Sequence, residues 1–207
     1  MSDHITTLDQ LRDLYREPSA MVQSKVATTM GDQTVARITA SPFVLLATAD
    51  AHGNCDVSPR GGPPGLLAVL DDTTVALPDL GGNNLIDSLT NIVANPHAGL
   101  LVLTPGDDET VRIEGPAQLR TDGDILDRWE GLFRRPKLAV VISVSSVFIH
   151  CAKAFRRSSL WEPATWATDI PDASSLLNEH VGGGLDTDAI RAGLDQSYEN
   201  ELAEERL

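Results

Sequence analysis

Residues 73–103, TTVALPDLGGNNLIDSLTNIVANPHAGLLVL, contain most of the signals that decide the fold. The run at 74–77 predicts a strand, and a loop with two glycines separates it from a predicted helix over 85–94. The Asn-Pro pair at 95–96 ends this helix, and residues 99–103 predict the next strand. The stretch therefore predicts a strand, a glycine loop, a short helix and a second strand, in that order.

Short β-rich runs bounded by turn residues lie on both sides of this stretch. Predicted strands cover residues 43–49, 55–58, 66–70, 110–113 and 137–149. The runs at 66–70 and 74–77 are close enough to predict a tight hairpin. Antiparallel strands with few long crossovers favour a closed or nearly closed barrel. We therefore predict a mainly β fold with helices, of the α+β class, with six to seven antiparallel strands.

Helical patterns flank the β-rich region and divide the chain into three segments. Residues 1–40 carry apolar side chains at helical spacing and a capping box at Thr7 and Gln10, which predicts an N-terminal helical segment. The barrel is expected over residues 41–161, with a helix over 124–133. Residues 162–207 are expected to form an irregular linker and an acidic C-terminal helix.

The 207-residue chain is acidic, with a formal net charge of −14. Nucleic acids and anionic membrane surfaces attract basic segments, so we expect neither as a partner. No apolar run approaches the roughly 20 residues that a membrane-spanning helix needs, and the first residues do not resemble a signal peptide. We therefore expect a cytoplasmic protein in which Cys55 and Cys151 are free thiols.

The few cations are concentrated in two short segments. Their members are Arg134, Arg135 and Lys137 in the first, and Lys153, Arg156 and Arg157 in the second. In an acidic chain, such clusters are candidates for binding a small anion. The alternative is a solvated surface that balances nearby carboxylates.

The loop from Leu77 and Pro78 to Asn83 and Asn84 is a candidate ligand-binding segment. Its two glycines allow the backbone to approach a ligand closely. Asn84 can cap the following helix, whose first amides would then form an anion site. The alternative is an ordinary loop with a cap, because Gly and Asn are common turn residues.

The segment Ser58-Pro59-Arg60 is followed by Gly61-Gly62-Pro63-Pro64, which predicts that a strand ends here with an arginine at its edge. A guanidinium in this position can bind a phosphate in a bidentate way. The alternative is a surface arginine without a ligand.

Residues 150–161, HCAKAFRRSSLW, concentrate hydrogen-bond donors, cations and an aromatic ring directly after a predicted strand. His150 and Cys151 are not expected to form a nucleophile and base, because adjacent side chains on a strand point apart. We expect no metal site, because the histidines are scattered without ligand spacing.

Taken in order, these segments resemble the pyridoxamine 5′-phosphate oxidase superfamily of FMN-binding split barrels. The run at 73–103 followed by TVRIEGPAQL at 110–119 is similar to that family's strand, phosphate loop, helix and paired strands. HCAKAFRRSSLW is similar to the ending of a bacterial subgroup of FMN-dependent proteins. The resemblance covers roughly residues 41–161 and implies FMN as cofactor, a split barrel, and a homodimer with FMN at the subunit interface.

The resemblance also implies roles for individual residues. Ser58, Pro59 and Arg60 match the strand that lines the flavin and reaches its phosphate, and Leu77 and Pro78 match the strand end beneath the ribityl chain. Thr110 and Arg112 match the strand that the partner subunit offers to the flavin. We expect Arg157, Ser158 and Trp161 on the cofactor or substrate side, with His150 as a weaker candidate.

Two departures from the family pattern bear on function. Asn83 and Asn84 stand where the authentic oxidases carry an Arg-Lys pair, so Arg60 and the cations at 153–157 are the expected phosphate donors. The oxidase's terminal Arg-Leu-His-Asp-Arg substrate motif is absent, so oxidation of pyridoxamine phosphate is not implied.

We expect an oxidoreductase that acts on a small organic substrate. We assign no residue of the protein as catalytic. The alternatives are a flavin-binding module without turnover and a related barrel that binds deazaflavin or haem.

Overall fold

The β-rich runs form one eight-stranded antiparallel sheet in the computed structural model, which describes residues 4–206. Its strands are β1 (Phe43–Ala49), β2 (Cys55–Gly61), β3 (Ala68–Asp71), β4 (Thr74–Pro78), β5 (His97–Leu103), β6 (Thr110–Arg120), β7 (Ala139–Ser143) and β8 (Ser146–His150). The spatial order is β2-β1-β5-β6-β7-β4-β3, with β8 paired to β6. Because β2 and β3 lie at the two ends of this order, the barrel is open. The predicted α+β class and split barrel are confirmed, with one strand more than the upper expected number.

The extra strand arises where a single strand was predicted over 137–149. The chain instead forms β7 and β8, which pair with different parts of the same edge of β6. The break lies opposite Gly115, where an added Cβ would collide with the carbonyl oxygen of Ser143 and lie 2.9 Å from the backbone nitrogen of Ser145. The prediction of one continuous strand is wrong, because the pairing with β6 shifts by one residue between Ala117 with Ile142 and Glu114 with Ser146, where Gly115 leaves room for the close approach.

The prediction that β2 ends at Ser58 is also wrong, because the strand continues through Pro59 and Arg60 to Gly61. Pro59 lies opposite Leu45 of β1. β2 is an edge strand, and such a strand tolerates proline because one of its sides has no neighbouring strand to receive a hydrogen bond. Arg60 is therefore at a sheet edge, as expected, but within the strand.

The helices of the described residues are α1 (Leu8–Arg12), α2 (Ala20–Ser24), α3 (Asp32–Ala40), α4 (Asp87–Ala94), α5 (Gly123–Leu126), α6 (Lys153–Ser158), α7 (Ala173–His180) and α8 (Thr187–Glu205). The capping box at Thr7 and Gln10 is confirmed. The helix predicted over 124–133 is wrong in length, because after α5 the chain makes a 3₁₀ turn and Gly131 adopts a positive φ. The acidic C-terminal helix is confirmed and extends to Glu205.

The core lies between the sheet and its covering helices, in two clusters. The larger contains fully buried side chains of α3, β1, β4, β5, β6 and β7, among them Ile38, Leu46, Leu77, Leu100, Ile113 and Ile142. The smaller is centred on Trp129, whose indole N–H donates to the carbonyl oxygen of Leu66 at 3.0 Å. This packing fixes β4, so the loop that follows it leaves the core from a rigid strand end.

Candidate functional site

Three polar side chains of β2 project toward the start of α4. Asp56, Ser58 and Arg60 are partly buried, whereas the residues between them are exposed. This alternation follows from the two-residue period of a strand, which places every second side chain on one face. The strand therefore presents a carboxylate, a hydroxyl and a guanidinium in a row.

Ser88 of α4 joins this row into one hydrogen-bond network. Its hydroxyl donates to Asp56 Oδ2 at 2.5 Å and lies 2.9 Å from Ser58 Oγ and 3.4 Å from Arg60 Nη2. A serine hydroxyl has one hydrogen and two acceptor lone pairs. Because Ser88 donates to Asp56, it accepts from both Ser58 and Arg60, and its bonding capacity is filled.

The guanidinium of Arg60 has donor capacity to spare. Nη1 donates to Asp79 Oδ1 at 3.3 Å, and the Arg60 side chain is 24% exposed. Nε is buried and has no hydrogen-bond partner within residues 4–206. A buried donor without a partner costs about 1–3 kcal/mol, and more when it is charged. Arg60 is thus ready to donate to an acceptor that the chain does not itself provide.

Asp79 is held at the end of β4 in a partly buried environment. Burial raises the pKa of its carboxyl, and the charges of Arg60 and Lys137 oppose this rise without cancelling it. The ion pair with Arg60 is therefore not enough to offset the desolvation of the carboxylate.

The loop between β4 and α4 makes two left-handed turns, at Asn84 (φ 60°) and Ile86 (φ 55°). The prediction that Asn84 caps the helix is wrong, because Ile86 occupies the N-cap position and provides no side-chain cap. The side-chain oxygen of Asn83 instead accepts the backbone N–H of Leu85 at 3.0 Å. These turns fold the loop back toward β2.

A pocket of about 250 Å³ lies between β2, this loop and the start of α4. Its polar lining includes Ser58, Arg60, Asn83, Asn84, Ser88 and Lys137. The carboxylates of Asp56, Asp79 and Asp87 line it as well. The structure thus brings together four of the predicted site residues and adds a second cation, Lys137, to Arg60.

Leu77, Pro78 and Pro59 contribute differently from the polar residues. Leu77 is 1% exposed and belongs to the core, so it supports the strand end and offers no ligand contact through its side chain. Pro59 and Pro78 line a neighbouring cavity of about 270 Å³, which also borders Arg60.

The other predicted site residues lie in a second region around β6 and α6. Arg112 pairs with Glu114 at 2.7 Å and borders a groove of about 520 Å³, whereas Thr110 is 2% exposed. Arg157 Nε donates to the carbonyl oxygen of Lys153 at 3.1 Å within α6.

Ser158 and Trp161 are also bonded locally in this second region. Ser158 Oγ donates to the carbonyl oxygen of Phe155 at 3.0 Å, and the ring of Trp161 stacks on Phe155 at 5.8 Å between centroids. The indole N–H of Trp161 donates to the carbonyl oxygen of Asp107 at 2.9 Å. No residue of the second region lines the pocket at Arg60 within one copy of the chain.

Sequence reasoning missed Asp56, Asp79 and Ser88, and did not assign Lys137 to the loop. Asp56 carried a usable signal, because it precedes Ser58 by two residues on a predicted strand and so shares its face. Lys137 belonged to a recognised cation cluster, but nothing in its local sequence links it to the pocket.

The model of the family described as pyridoxamine 5′-phosphate oxidase matches residues 30–150, which is more than half of the chain. The chain belongs to the pyridoxamine 5′-phosphate oxidase family. The matched residues include every strand and the whole lining of the Arg60 pocket, whereas α6 lies beyond them. No curated protein matches the chain.

Several solved structures are similar to parts of the chain. HupZ of Group A Streptococcus is 19% identical, with a TM-score of 0.48 over 58% of this chain and 93% of that one. A candidate pyridoxamine 5′-phosphate oxidase of Lactobacillus delbrueckii is 22% identical, with a TM-score of 0.47 over 59% of this chain and 95% of that one. An FMN-binding protein of Syntrophomonas wolfei is 16% identical, with a TM-score of 0.41 over 56% and 80%. The family assignment rests on residues 30–150 and not on these similarities.

Other sequence expectations concern membranes, metals and thiols. None of the helices within residues 4–206 has the length and apolar character that a membrane crossing requires. No group of three or more His, Cys, Asp or Glu residues in that part of the chain is arranged to hold a metal ion. Cys55 and Cys151 are both free and exposed, which confirms the prediction of two free thiols.

Proposed function

We propose that the protein is a cytosolic flavoprotein that binds FMN and acts as an oxidoreductase on a small organic substrate. The observation that carries this proposal is Arg60, whose buried Nε lacks a partner in the described residues and which lines the pocket beside the glycine loop. That loop lies in the segment that resembles the phosphate loop of the FMN-binding split barrels. The exposed free thiols are compatible with a reducing compartment.

The donor set of the pocket suits a phosphate group. A phosphate monoester carries a charge of about −1.5 to −2 and accepts hydrogen bonds strongly. Arg60 and Lys137 offer positive charge, and Ser58 donates to Ser88, which in turn accepts from Arg60. Lys137 thereby takes the place of the cations that the authentic oxidases carry at the positions of Asn83 and Asn84. Three carboxylates, Asp56, Asp79 and Asp87, line the pocket beside these two cations, so losing either cation would make the lining still less favourable for an anion.

The chain's own residues bind and orient the cofactor in this proposal. Arg60 and Lys137 hold the phosphate end, Ser58 supports Arg60 through Ser88, and Leu77 supports the loop from the core. The groove that Arg112 lines shares Asp56 with the pocket and takes Cys55 and Val57 from the other face of β2. When bound, the flavin supplies the hydride-transfer chemistry, so the protein needs few acids or bases of its own.

A homodimer completes the site in this proposal. The predicted site residues of the second region lie outside the Arg60 pocket of their own copy and would face the cofactor of the other copy. They are Thr110, Arg112, Arg157, Ser158 and Trp161. Exposed apolar side chains in the sheet, including Val57 at 61% and Ile149 at 50%, favour a covered face. We expect an interface well above roughly 1,000 Å² and a dimer at micromolar concentration in sedimentation experiments. A monomer would contradict the shared site.

Comparing FMN with riboflavin tests the cofactor assignment. The two ligands share the ring and the ribityl chain, and FMN alone has the phosphate. We expect flavin-fluorescence titrations to show FMN binding more tightly by about 2–5 kcal/mol, roughly thirtyfold to several thousandfold. Equal affinities for FMN and riboflavin would show that Arg60 does not bind the phosphate. If neither flavin binds, the proposal is wrong.

The absorption spectrum of the purified protein distinguishes the remaining alternatives. Flavin bands are expected, and bands of deazaflavin or haem would point to the other kinds of barrel. Steady-state turnover with reduced nicotinamide is expected for an oxidoreductase. Bound flavin without turnover, over a range of small organic substrates, would instead favour the non-catalytic flavin-binding module.

A further inference from the structure

The C-terminal end of α8 lies directly on the glycine loop. Glu205 Oε1 accepts the backbone N–H of Gly81 at 2.7 Å, although the two residues are 124 positions apart in sequence. The backbone carbonyl oxygen of Glu205 accepts the N–H of Arg134 at 2.8 Å. The last turn of α8 is therefore held between the loop and the basic segment at 134–137.

Glu205 contacts the loop where Gly81 leaves space beside its amide. A Cβ on Gly81 would lie 2.8 Å from Glu205 Oε1, which is closer than side-chain carbons approach other atoms. The carboxylate thus takes up the space that the missing side chain leaves above the amide. An oxyanion on a glycine amide is the arrangement that phosphate-binding loops use for their ligands.

Charged side chains of opposite sign share a cavity at this end of α8. Glu201, Glu204 and Glu205 line a cavity of about 430 Å³ together with Arg134, Arg135 and Lys137. Acidic residues at the C-terminus of a helix are disfavoured by the helix dipole, so the basic segment is needed to offset them.

Apolar contacts of α8 are few. No residue of α8 is buried, and both Tyr198 and Leu202 are 55% exposed although they border the cavity beside Arg60. An element with little buried apolar surface opens at low free-energy cost. A competing anion is therefore able to displace it.

We propose that the Gly81 amide is an oxyanion-binding position and that Glu205 fills it until the phosphate monoester of a ligand displaces it. α8 is then a displaceable anionic cover over the glycine loop, beside the pocket that Arg60 and Lys137 line. This inference rests on the proposed function for the identity of the ligand as FMN. It adds that the chain itself competes with the cofactor phosphate, and that phosphate binding and release of α8 are coupled.

Substituting Glu205 tests the competition. Glu205→Gln keeps the size and a hydrogen-bond acceptor but removes the charge, so we expect FMN to bind about three- to tenfold more tightly. Riboflavin binding is expected to stay unchanged, because riboflavin brings no anion to Gly81. Glu199→Gln is the matched control, since Glu199 is exposed on the same helix and lines none of the three cavities described near the loop.

Hydrogen exchange provides a second readout that needs neither activity nor a variant. We expect FMN to raise backbone exchange in residues 198–205, and riboflavin to leave it unchanged. Millimolar inorganic phosphate, used alone, is expected to raise exchange in the same residues because it competes for the same amide.

The outcomes separate this inference from the proposed function. Suppose that FMN binds more tightly than riboflavin, but that Glu205→Gln has no effect on FMN affinity and hydrogen exchange in α8 does not change. This result would contradict the proposal that α8 is displaced, and it would still support the FMN site. Failure of all flavins to bind, with phosphate still releasing α8, would reject the FMN assignment and keep Gly81 as an oxyanion position. Protection of α8 by FMN would mean that the helix closes on the ligand, which contradicts displacement.

Discussion

The two cationic regions of this acidic chain have similar compositions but differ in what surrounds them. Arg60 and Lys137 line one pocket, and the Arg60 guanidinium is three-quarters buried with a buried Nε that lacks a partner in the described residues. Arg156 and Arg157 lie on the short helix α6, where the Arg156 side chain is 70% exposed and pairs with Asp108. Burial and convergence, more than the number of cations, distinguish an anion site from a charged surface.

The carboxylates of the two regions show the same difference. Burial raises the pKa of Asp79 in spite of Arg60, whereas the hydrogen bond from Arg112 lowers the pKa of Glu114. Both acids pair with an arginine, and the opposite pKa directions come from the deeper burial of Asp79 and from the hydrogen bonds that Arg112 and Ser146 donate to Glu114. The Arg60 pocket is where removing or adding a charge should matter most.

The largest effect is expected for Arg60→Ala. The loss of a partly buried charge partner should weaken FMN binding by about 2–5 kcal/mol, roughly thirtyfold to several thousandfold, and leave riboflavin binding nearly unchanged. Flavin-fluorescence titration measures both. Arg120→Ala is the control, because Arg120 pairs with Asp122 outside the pocket. Equal losses for FMN and riboflavin would show damage to the fold instead of a lost phosphate contact.

A smaller effect is expected for Lys137→Ala. Lys137 is exposed, so its attraction for the phosphate is screened, and we expect about fivefold weaker FMN binding that diminishes at high salt. Arg135→Ala is the matched control, since Arg135 belongs to the same segment but does not line the pocket. If the two variants behave alike, the segment acts through its general charge and not through Lys137.

Asp79→Asn should act in the opposite direction, with a severalfold gain in FMN affinity, because it removes a negative charge beside the phosphate. It should also change the pH dependence of stability. With a raised pKa in the folded state, Asp79 contributes stability that is fully present below its ordinary pKa and is lost as pH rises through the folded-state pKa. Urea unfolding between pH 4 and 7 should show the wild type losing stability relative to Asp79→Asn as pH rises. A constant difference would mean that burial does not perturb this carboxyl.

The smallest effect is expected for Arg157→Ala. Arg157 is exposed and bonded within α6, so a contribution from the partner subunit would be made at the rim of the site. We expect two- to fivefold weaker FMN binding, in line with exposed charge contacts. If FMN affinity does not change, α6 is a charged surface that takes no part in FMN binding. An effect as large as that of Arg60→Ala would abolish the distinction between the two regions.

Local patterns predicted the elements whose partners are close in sequence. The hairpin of β3 and β4, helix α3 and the glycine loop were all found from short-range signals, because turn residues and periodicity are read within a few positions. Pro59 and the break between β7 and β8 were misread, because each depends on what lies beside the strand. An edge position allows Pro59, and Gly115 of β6 leaves room for the close approach at the break.

For this protein, the sequence by itself determined the fold class, the family resemblance and half of the pocket, since Ser58, Arg60, Asn83 and Asn84 carry local signals. Only the tertiary structure decided that Lys137 joins them, that the second cation cluster lies outside the pocket of its own copy, and that Glu205 reaches Gly81. The physical reason is that side-chain type and spacing encode local conformation. Which distant charges converge, and how deeply they are buried, follows from the packing of the whole chain.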